Sequence, residues 1–312
     1  MNKKDRLRIT SRYVDRMIQL LKINRPDVIW LEKEVFPFFP WWVEGHMLPQ
    51  GVPVISDYDD AIFHRYDMHR FSLVKLLLGR KIDSVMAHSD VVIAGNDYLA
   101  ERARMAGAPH VEIVPTVVDI DTYLPKLRVT DVGPPKIGWI GTPETWANFG
   151  RRMLNLISNI VRDGRASFRA VGVSSAGDKT SGIEFLPWSE ENEISLIQDI
   201  DIGIMPLPNT PWAQGKCGYK LIQYMACGLP VVASPVGVNS SIVDHGTNGF
   251  LADTNEEWTK ALETLVRERN MRSRMGVEGR KKVEANYSLQ VYGPKVAQIL
   301  REAAQMTPRK AR

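Results

Sequence analysis

One stretch of this chain concentrates the residue types that can hold a negatively charged ligand. It runs Gly215-Lys-Cys-Gly-Tyr-Lys-Leu-Ile-Gln-Tyr-Met-Ala-Cys-Gly228 and continues Leu-Pro-Val-Val-Ala-Ser-Pro-Val-Gly237. It reads as a glycine-containing loop, a short helix, a tight turn, a buried strand and a second glycine loop. A helix N-terminus offers unpaired backbone N–H groups and partial positive charge, and glycines let a ligand come close, so the stretch points to a phosphate-bearing ligand. Lys216, Lys220 and Gln223 share a face if the helix starts early. On the functional reading, Lys216 or Lys220 neutralises a diphosphate, Gln223 hydrogen-bonds a ribose or sugar hydroxyl, and the amides near Gly218 and Tyr219 complete the anion site. The plain alternative is a solvated polar face, which leaves the glycines unexplained.

A second group, Asp57-Tyr58-Asp59-Asp60, follows an apolar run. Closely spaced carboxylates suit a divalent cation bound with a diphosphate; the same letters fit a polar cluster at a strand end that orients a sugar hydroxyl. The second reading is preferred, because no further acidic cluster completes a metal site. No Cys/His set has zinc spacing, so neither metal nor cofactor is expected. Asn96 or Asp97, after the next strand, reads as a helix cap.

The elements that must position these groups follow from the apolar pattern. Val28 to Leu31, Val52 to Ser56, Val91 to Ala94 and Val111 to Val114 read as buried parallel strands, with helices over residues 9–24, 71–88 and 98–106. A polar stretch from Leu124-Pro125 to Gly133-Pro134-Pro135 is the expected linker. Beyond it, Lys136 to Thr142 is a strand ending in a glycine turn. Phe168 to Val173, Ile183 to Leu186 and Ile202 to Met205 are further strands, with helices over 149–161 and 190–198. The fold class is α/β with two Rossmann-like lobes. Residues 1–125 form an N-terminal lobe that lacks its first strands, since it opens on a helix. Residues 126–286 form the second lobe, and 287–312 a final helix packing back across the lobes, with a basic tail. In doubly wound sheets ligands bind at the carboxyl ends of strands, which joins Gly141, Thr142, Pro187, Trp188 and Pro206-Leu207 to the central stretch.

Composition limits the function classes. At 312 residues with 44% apolar and 24% charged side chains, the chain is that of a soluble two-domain protein, with no uncharged apolar run long enough for a membrane span. The charged start, Met-Asn-Lys-Lys-Asp-Arg, argues against a secretory signal, so a cytoplasmic location is expected, with Cys217 and Cys227 as free thiols. The net charge of +4 is concentrated at the ends, through Lys3 to Arg16 and Arg309 to Arg312. Solvated termini are the plain reading; peripheral contact with an anionic membrane through the helix over 9–24 is the sharper one. The clusters 36–42 and 63–66 are aromatic, for a ligand cleft or for packing.

These residues resemble the GT-B glycosyltransferases, above all the large family-4 group of retaining enzymes. The matching stretches are Tyr224 to Gly237, Asp244-His-Gly-Thr-Asn-Gly-Phe-Leu251, Val114-Pro-Thr-Val-Val-Asp119, Ile137 to Gly141 and Phe185-Leu-Pro-Trp188. The chain departs from the pattern where the family's two glutamates fall on Gly215 and Gln223, and where its basic pair falls within Gly141-Thr-Pro-Glu-Thr-Trp146. The resemblance implies transfer of a sugar, with retention, from a nucleotide-diphosphate sugar to a hydroxyl on a glycan or lipid-linked sugar, in cell-surface polysaccharide or glycolipid assembly, with no nucleic-acid partner. Under it Asp59 or Asp60 positions hydroxyls, and Lys220 with the helix amides stabilises the departing diphosphate. Donor binding is expected from Gly141, Thr142, Pro187, Trp188, Lys216, Gly218, Tyr219, Lys220 and Gln223. A catalytically weak nucleotide-sugar-binding protein completed by a partner chain, and an epimerase, are the other readings.

Overall fold

Runs such as Val91-Val-Ile-Ala94 and Val231-Val-Ala233 are buried at every position, as parallel strands covered on both faces must be. The computed structural model describes residues 3–125, 133–173 and 182–306. The basic residues Arg309, Lys310 and Arg312, and residues 126–132 of the expected linker, lie outside the described residues. The chain divides into two compact units, whose described parts are residues 3–115 with 294–306, and residues 116–125, 133–173 and 182–293.

The first unit holds one parallel sheet, β1 (Ile29–Glu32), β2 (Val54–Tyr58), β3 (Val91–Ala94) and β4 (Val111–Ile113), in the order β1-β2-β3-β4. The four strands expected from the sequence are present, each within two residues of its expected ends. Helix Lys3–Lys22 lays Tyr13, Met17 and Leu20 against a core of Val35, Phe36, Trp41 and Val54, whereas Leu21 stays exposed. The single helix expected over 71–88 is two, Ser72–Leu78 and Lys81–His88. They part at Gly79, where a Cβ would sit 2.4 Å from the Lys75 carbonyl oxygen. Asn96 caps helix Asp97–Ala106 by accepting the Leu99 N–H at 2.9 Å. In the aromatic cluster after β1, Phe36 and Trp41 are core residues, while Phe38, Phe39 and Trp42 are exposed.

The second unit holds six parallel strands, β5 (Lys136–Ile140), β6 (Ser167–Val171), β7 (Ile183–Leu186), β8 (Ile202–Met205), β9 (Val231–Ala233) and β10 (Gly249–Leu251), in the order β10-β9-β8-β5-β6-β7. Two apolar clusters cover the sheet, one containing Leu221, Ile222 and Met225 of helix Tyr219–Ala226, the other Trp139, Ile157 and Leu262. The helix expected over 149–161 is α-helical only in Leu154–Val161 and is preceded by a π turn, Trp146–Gly150, and a 3-10 turn, Arg151–Met153. No described helix is long and apolar enough to cross a membrane.

Candidate active site

Strand order in the second unit reverses at β5, with β6 and β7 added on one side and β8, β9 and β10 on the other. Such a reversal leaves a crevice at the carboxyl ends of the two central strands. Side chains enforce it here. Register partners between β5 and β8 are only Ile137↔Ile202 and Gly138↔Gly203. Past them, the Ile140 N–H donates to the Tyr224 hydroxyl at 2.9 Å instead of to a strand carbonyl. Gly203 makes room for that ring, since a Cβ there would sit 2.3 Å from Tyr224.

Glycine joins the neighbouring strand ends. Gly172, with φ 88, carries β6 into a turn where a Cβ would meet the Gly141 carbonyl at 2.1 Å and Trp188 Cβ at 3.6 Å. Gly141 and Trp188, chosen from the sequence as parts of one neighbourhood, are therefore adjacent, with Pro187 between Trp188 and the end of β7. Thr142 caps the turn that follows, accepting the Thr145 N–H at 3.2 Å while its own N–H donates to Thr145 Oγ1 at 3.0 Å.

Helix Tyr219–Ala226 begins after Gly218, which lies at φ 70. Lys216 therefore precedes the helix, and the face expected to carry Lys216, Lys220 and Gln223 keeps only the last two. Both ammonium groups rest on indole rings: Lys220 Nζ is 5.1 Å from the Trp139 ring centroid and Lys216 Nζ 5.9 Å from that of Trp212. A cation over an indole face is attracted by the ring quadrupole. Trp139 is itself on β5, beside Gly141, so Lys220 is held at the crevice. A Cβ on Gly218 would lie 2.2 Å from Ile242 Cδ1. Gly218→Ala adds left-handed strain to that overlap and is expected to destabilise the second unit by about 1–3 kcal/mol; urea unfolding measures it, and an unchanged midpoint would refute the packing account.

Beside this helix lies a hydrogen-bonded cluster that the sequence reading missed. Glu193, at the start of helix Glu193–Gln198, accepts from the Tyr123 hydroxyl, from Gln223 Nε2 at 2.8 Å and from Trp188 Nε1 at 2.7 Å. Gln223 Nε2 also donates to the Tyr123 hydroxyl at 3.0 Å, and the Tyr219 hydroxyl lies 3.4 Å from that of Tyr123. Gln223 is only 2% exposed, so its amide nitrogen serves this internal network. Burial, and then the bond to Glu193, raise the Tyr123 pKa; burial raises that of Tyr219. Both phenols are hydrogen-bond donors at neutral pH. Arg280 fixes Tyr123 from behind, donating to the carbonyls of Tyr123, of Ile120 at 2.9 Å and of Ala226, in the last turn of the helix, at 2.7 Å. The only earlier signal of Glu193 was a run of acidic residues after Trp188, which any solvated helix start would also carry.

Cys217 and Cys227 are buried and form no disulfide among the described residues. Burial pushes the Cys227 thiol up to about 12, so it stays protonated.

In the first unit, Asp59 follows β2 and is paired with Lys33 Nζ at 2.8 Å; the same ammonium lies 3.2 Å from Glu32 Oε1. Lys33 adopts φ 65, a conformation rare outside glycine, which directs it from the end of β1 to that pair. Asp57 faces Glu32 across the β1–β2 register, and burial above all raises its pKa. Asp60 begins the turn beyond, its backbone carbonyl accepting the Ile62 N–H at 2.7 Å. Among the described residues no group of three His, Cys, Asp or Glu side chains is disposed to hold a metal ion.

Residues 134–268 match the family described as glycosyl transferases group 1. The second unit carries a glycosyltransferase domain. No curated protein matches the chain. Among solved structures, sucrose-phosphate synthase of Thermosynechococcus elongatus is similar over 88% of this chain and 73% of its own, with 15% identity and a TM-score of 0.68. A glycosyltransferase of Rickettsia africae is similar over 98% and 84%, with 15% identity and a TM-score of 0.65. HepE of Anabaena, solved with UDP and glucose, is similar over 80% and 72%, with 17% identity and a TM-score of 0.62. The fold is GT-B, with a Rossmann-like sheet in each unit, and the enzyme class is that of a glycosyltransferase.

Within this glycosyltransferase domain the two positions that carry glutamate in the resembling family hold Gly215 and Gln223. Glu193, from a different helix, brings a carboxylate into contact with Gln223. The cluster thus sets a carboxyl group beside a central helix that carries none of its own.

Proposed function

We propose that the protein transfers a sugar, with retention of configuration, from a nucleotide-diphosphate sugar to a hydroxyl of a glycan or lipid-linked sugar, in cell-surface polysaccharide or glycolipid assembly. The observation that carries this reading is the placement of Lys220 on Trp139, at the strand-order reversal and in the first turn of a helix opened by Gly218. Departure of a nucleoside diphosphate builds charge on its phosphate oxygens. A preorganised ammonium group and helix N-terminal amides stabilise that charge more than they stabilise the bound donor, which lowers the barrier. Trp188, half-exposed over the ends of β6 and β7, offers a flat apolar surface to a nucleobase, and Glu193 accepts from ribose hydroxyls. Asp59 or Asp60 orients donor or acceptor hydroxyls. HepE of Anabaena was solved with UDP and glucose, which supports a nucleotide-sugar donor and places UDP-sugars first for trial. Retention rests on the likeness of Tyr224 to Gly237 to the retaining family. The enzyme works at the cytoplasmic face, in peripheral contact with an anionic membrane that bears the acceptor.

The test is nucleotide release from UDP-, GDP- and ADP-sugars in the presence of acceptor-containing membranes, together with donor binding by calorimetry. Glu193→Gln places an amide nitrogen against donors that need an acceptor, and is expected to lower donor affinity about 10- to 100-fold. Unaltered affinity and turnover would remove Glu193 from the donor site; no binding of any nucleotide sugar would remove the site itself. A second reading, a nucleotide-sugar-binding protein with little turnover, is favoured by the internal engagement of Gln223. It predicts donor binding without acceptor-dependent release.

A further inference from the structure

The first unit exposes apolar side chains that its own fold does not use. In helix Ser72–Leu78, Leu78 turns inward and is 8% exposed, whereas Leu73, Leu76 and Leu77 are 65%, 81% and 66% exposed. Their spacing, three and four residues from Leu73, puts them on one face. Phe71, immediately before the helix, is 56% exposed. Leucine and phenylalanine are among the side chains that folding removes from water most strongly, so a contiguous outward set of four marks an interaction surface.

Charge identifies the partner. Between Met68 and Gly79 the chain carries Arg70 and Lys75 and no aspartate or glutamate; Arg80, the next residue, is paired with Asp83 at 3.8 Å. The Arg70 guanidinium lies 4.5 Å above the Phe71 ring, so cation and apolar surface form one element. Nucleic acid would reward the cations but not the leucines. A stable protein interface buries about 800 Å² per partner, far more than four side chains on a two-turn helix supply. An anionic bilayer suits both features without a shaped partner surface, because apolar tips enter the headgroup boundary while long basic side chains reach back to phosphate.

We infer that residues 71–77 form a membrane-docking knob, in which Phe71, Leu73, Leu76 and Leu77 enter an anionic phospholipid surface and Arg70 and Lys75 engage its phosphates. The inference rests on the peripheral-membrane part of the proposed function and assigns it to this knob, not to helix Lys3–Lys22.

The experiment is co-sedimentation of the full chain with vesicles of phosphatidylcholine alone, or mixed with phosphatidylglycerol, at low and high salt. The wild type is expected to bind the mixed vesicles and to release them as salt rises. Leu76→Ser/Leu77→Ser should weaken binding at least about tenfold. Arg70→Gln/Lys75→Gln should weaken it by about 25-fold, near fivefold per cation. Leu21→Ser, on the first helix, should change nothing. Leu77→Trp keeps an apolar tip and should blue-shift its emission when mixed vesicles are added. Wild-type affinity in the Leu76/Leu77 variant, equal binding to neutral vesicles, or an unshifted Leu77→Trp spectrum would each overturn the knob. Loss of binding on Leu21→Ser alone would move the contact to the first helix and leave the peripheral reading intact. Failure of every form to bind would end both readings. Self-association abolished by the leucine substitutions, with no vesicle binding, would overturn the inference in favour of a second copy.

Discussion

Lys220→Ala should lower sugar-transfer turnover by about 10²- to 10³-fold, the range expected when one preorganised donor to a developing anion is removed. The ammonium group stands on the Trp139 ring, itself on the central strand where strand order reverses. Its field is therefore in place before charge develops on the leaving diphosphate. Charge on the phosphate oxygens grows as the glycosidic bond breaks, so the loss should fall more on kcat than on KM. Steady-state kinetics with the donor found in the nucleotide-sugar panel measures both. An increase in KM alone would make Lys220 a ground-state binder, and unchanged kinetics would place it outside the site. Lys216→Ala provides the comparison, since Lys216 lies before the helix and leans on Trp212.

The largest stability effect is expected in the first unit, at Lys81. Its side chain is fully buried, with Nζ 2.5 Å from Glu34 Oε2, 2.6 Å from Glu44 Oε1, and donating to the Phe36 carbonyl at 2.5 Å. Glu34 accepts from the Tyr66 hydroxyl at 2.7 Å, and Tyr66 in turn receives the Phe38 N–H at 3.1 Å. Glu44 accepts the Phe36 N–H at 3.1 Å, while its Oε2 is buried without a hydrogen-bond partner among the described residues. One ammonium group thus ties two carboxylates to the aromatic segment after β1. Lys81→Met leaves Glu44 buried without its cation and Glu34 with only the Arg65 guanidinium, 3.6 Å away, and should destabilise the fold by about 3–5 kcal/mol, read by urea or thermal unfolding.

The pH dependence has a definite sign. Burial raises the Glu44 pKa above its unfolded value. The folded protein therefore binds that proton more tightly, and the stabilisation this provides is present below the unfolded pKa and lost as pH rises through the folded one. Without Lys81 the carboxyl is held still higher. The deficit of Lys81→Met should then shrink as pH falls toward the usual glutamate range, about 4. A deficit that grows on acidification, or none at any pH, would refute this account of the cluster.

Both predictions concern positions that local pattern describes unequally. Lys220 stands out in the sequence, because a lysine next to a glycine loop at a helix start has the pattern of an anion site. Lys81 does not. A lysine on a helix is ordinarily solvated, and its burial depends on Glu34, 47 residues earlier. Glu193 was hidden in the same way among Glu190, Glu191 and Asn192, with nothing local to say which carboxylate turns inward. The expected continuous helix over 71–88 failed at Gly79, where apolar spacing outweighed a single glycine in the reading but not in the backbone.

The sequence alone determined the alternation of strands and helices, the α/β class, the glycine turns and the place of the central helix, because each depends on neighbours within a few residues. Tertiary structure decided which side chains meet. It brought Tyr123 to Glu193 across 70 residues and Gln223 to Tyr123 across 100. It set Lys220 on Trp139, and it turned three leucines of one short helix outward while burying a fourth. Those outcomes depend on sheet order and on which face of each helix the sheet covers, and neither is encoded in the spacing of residues along a single element.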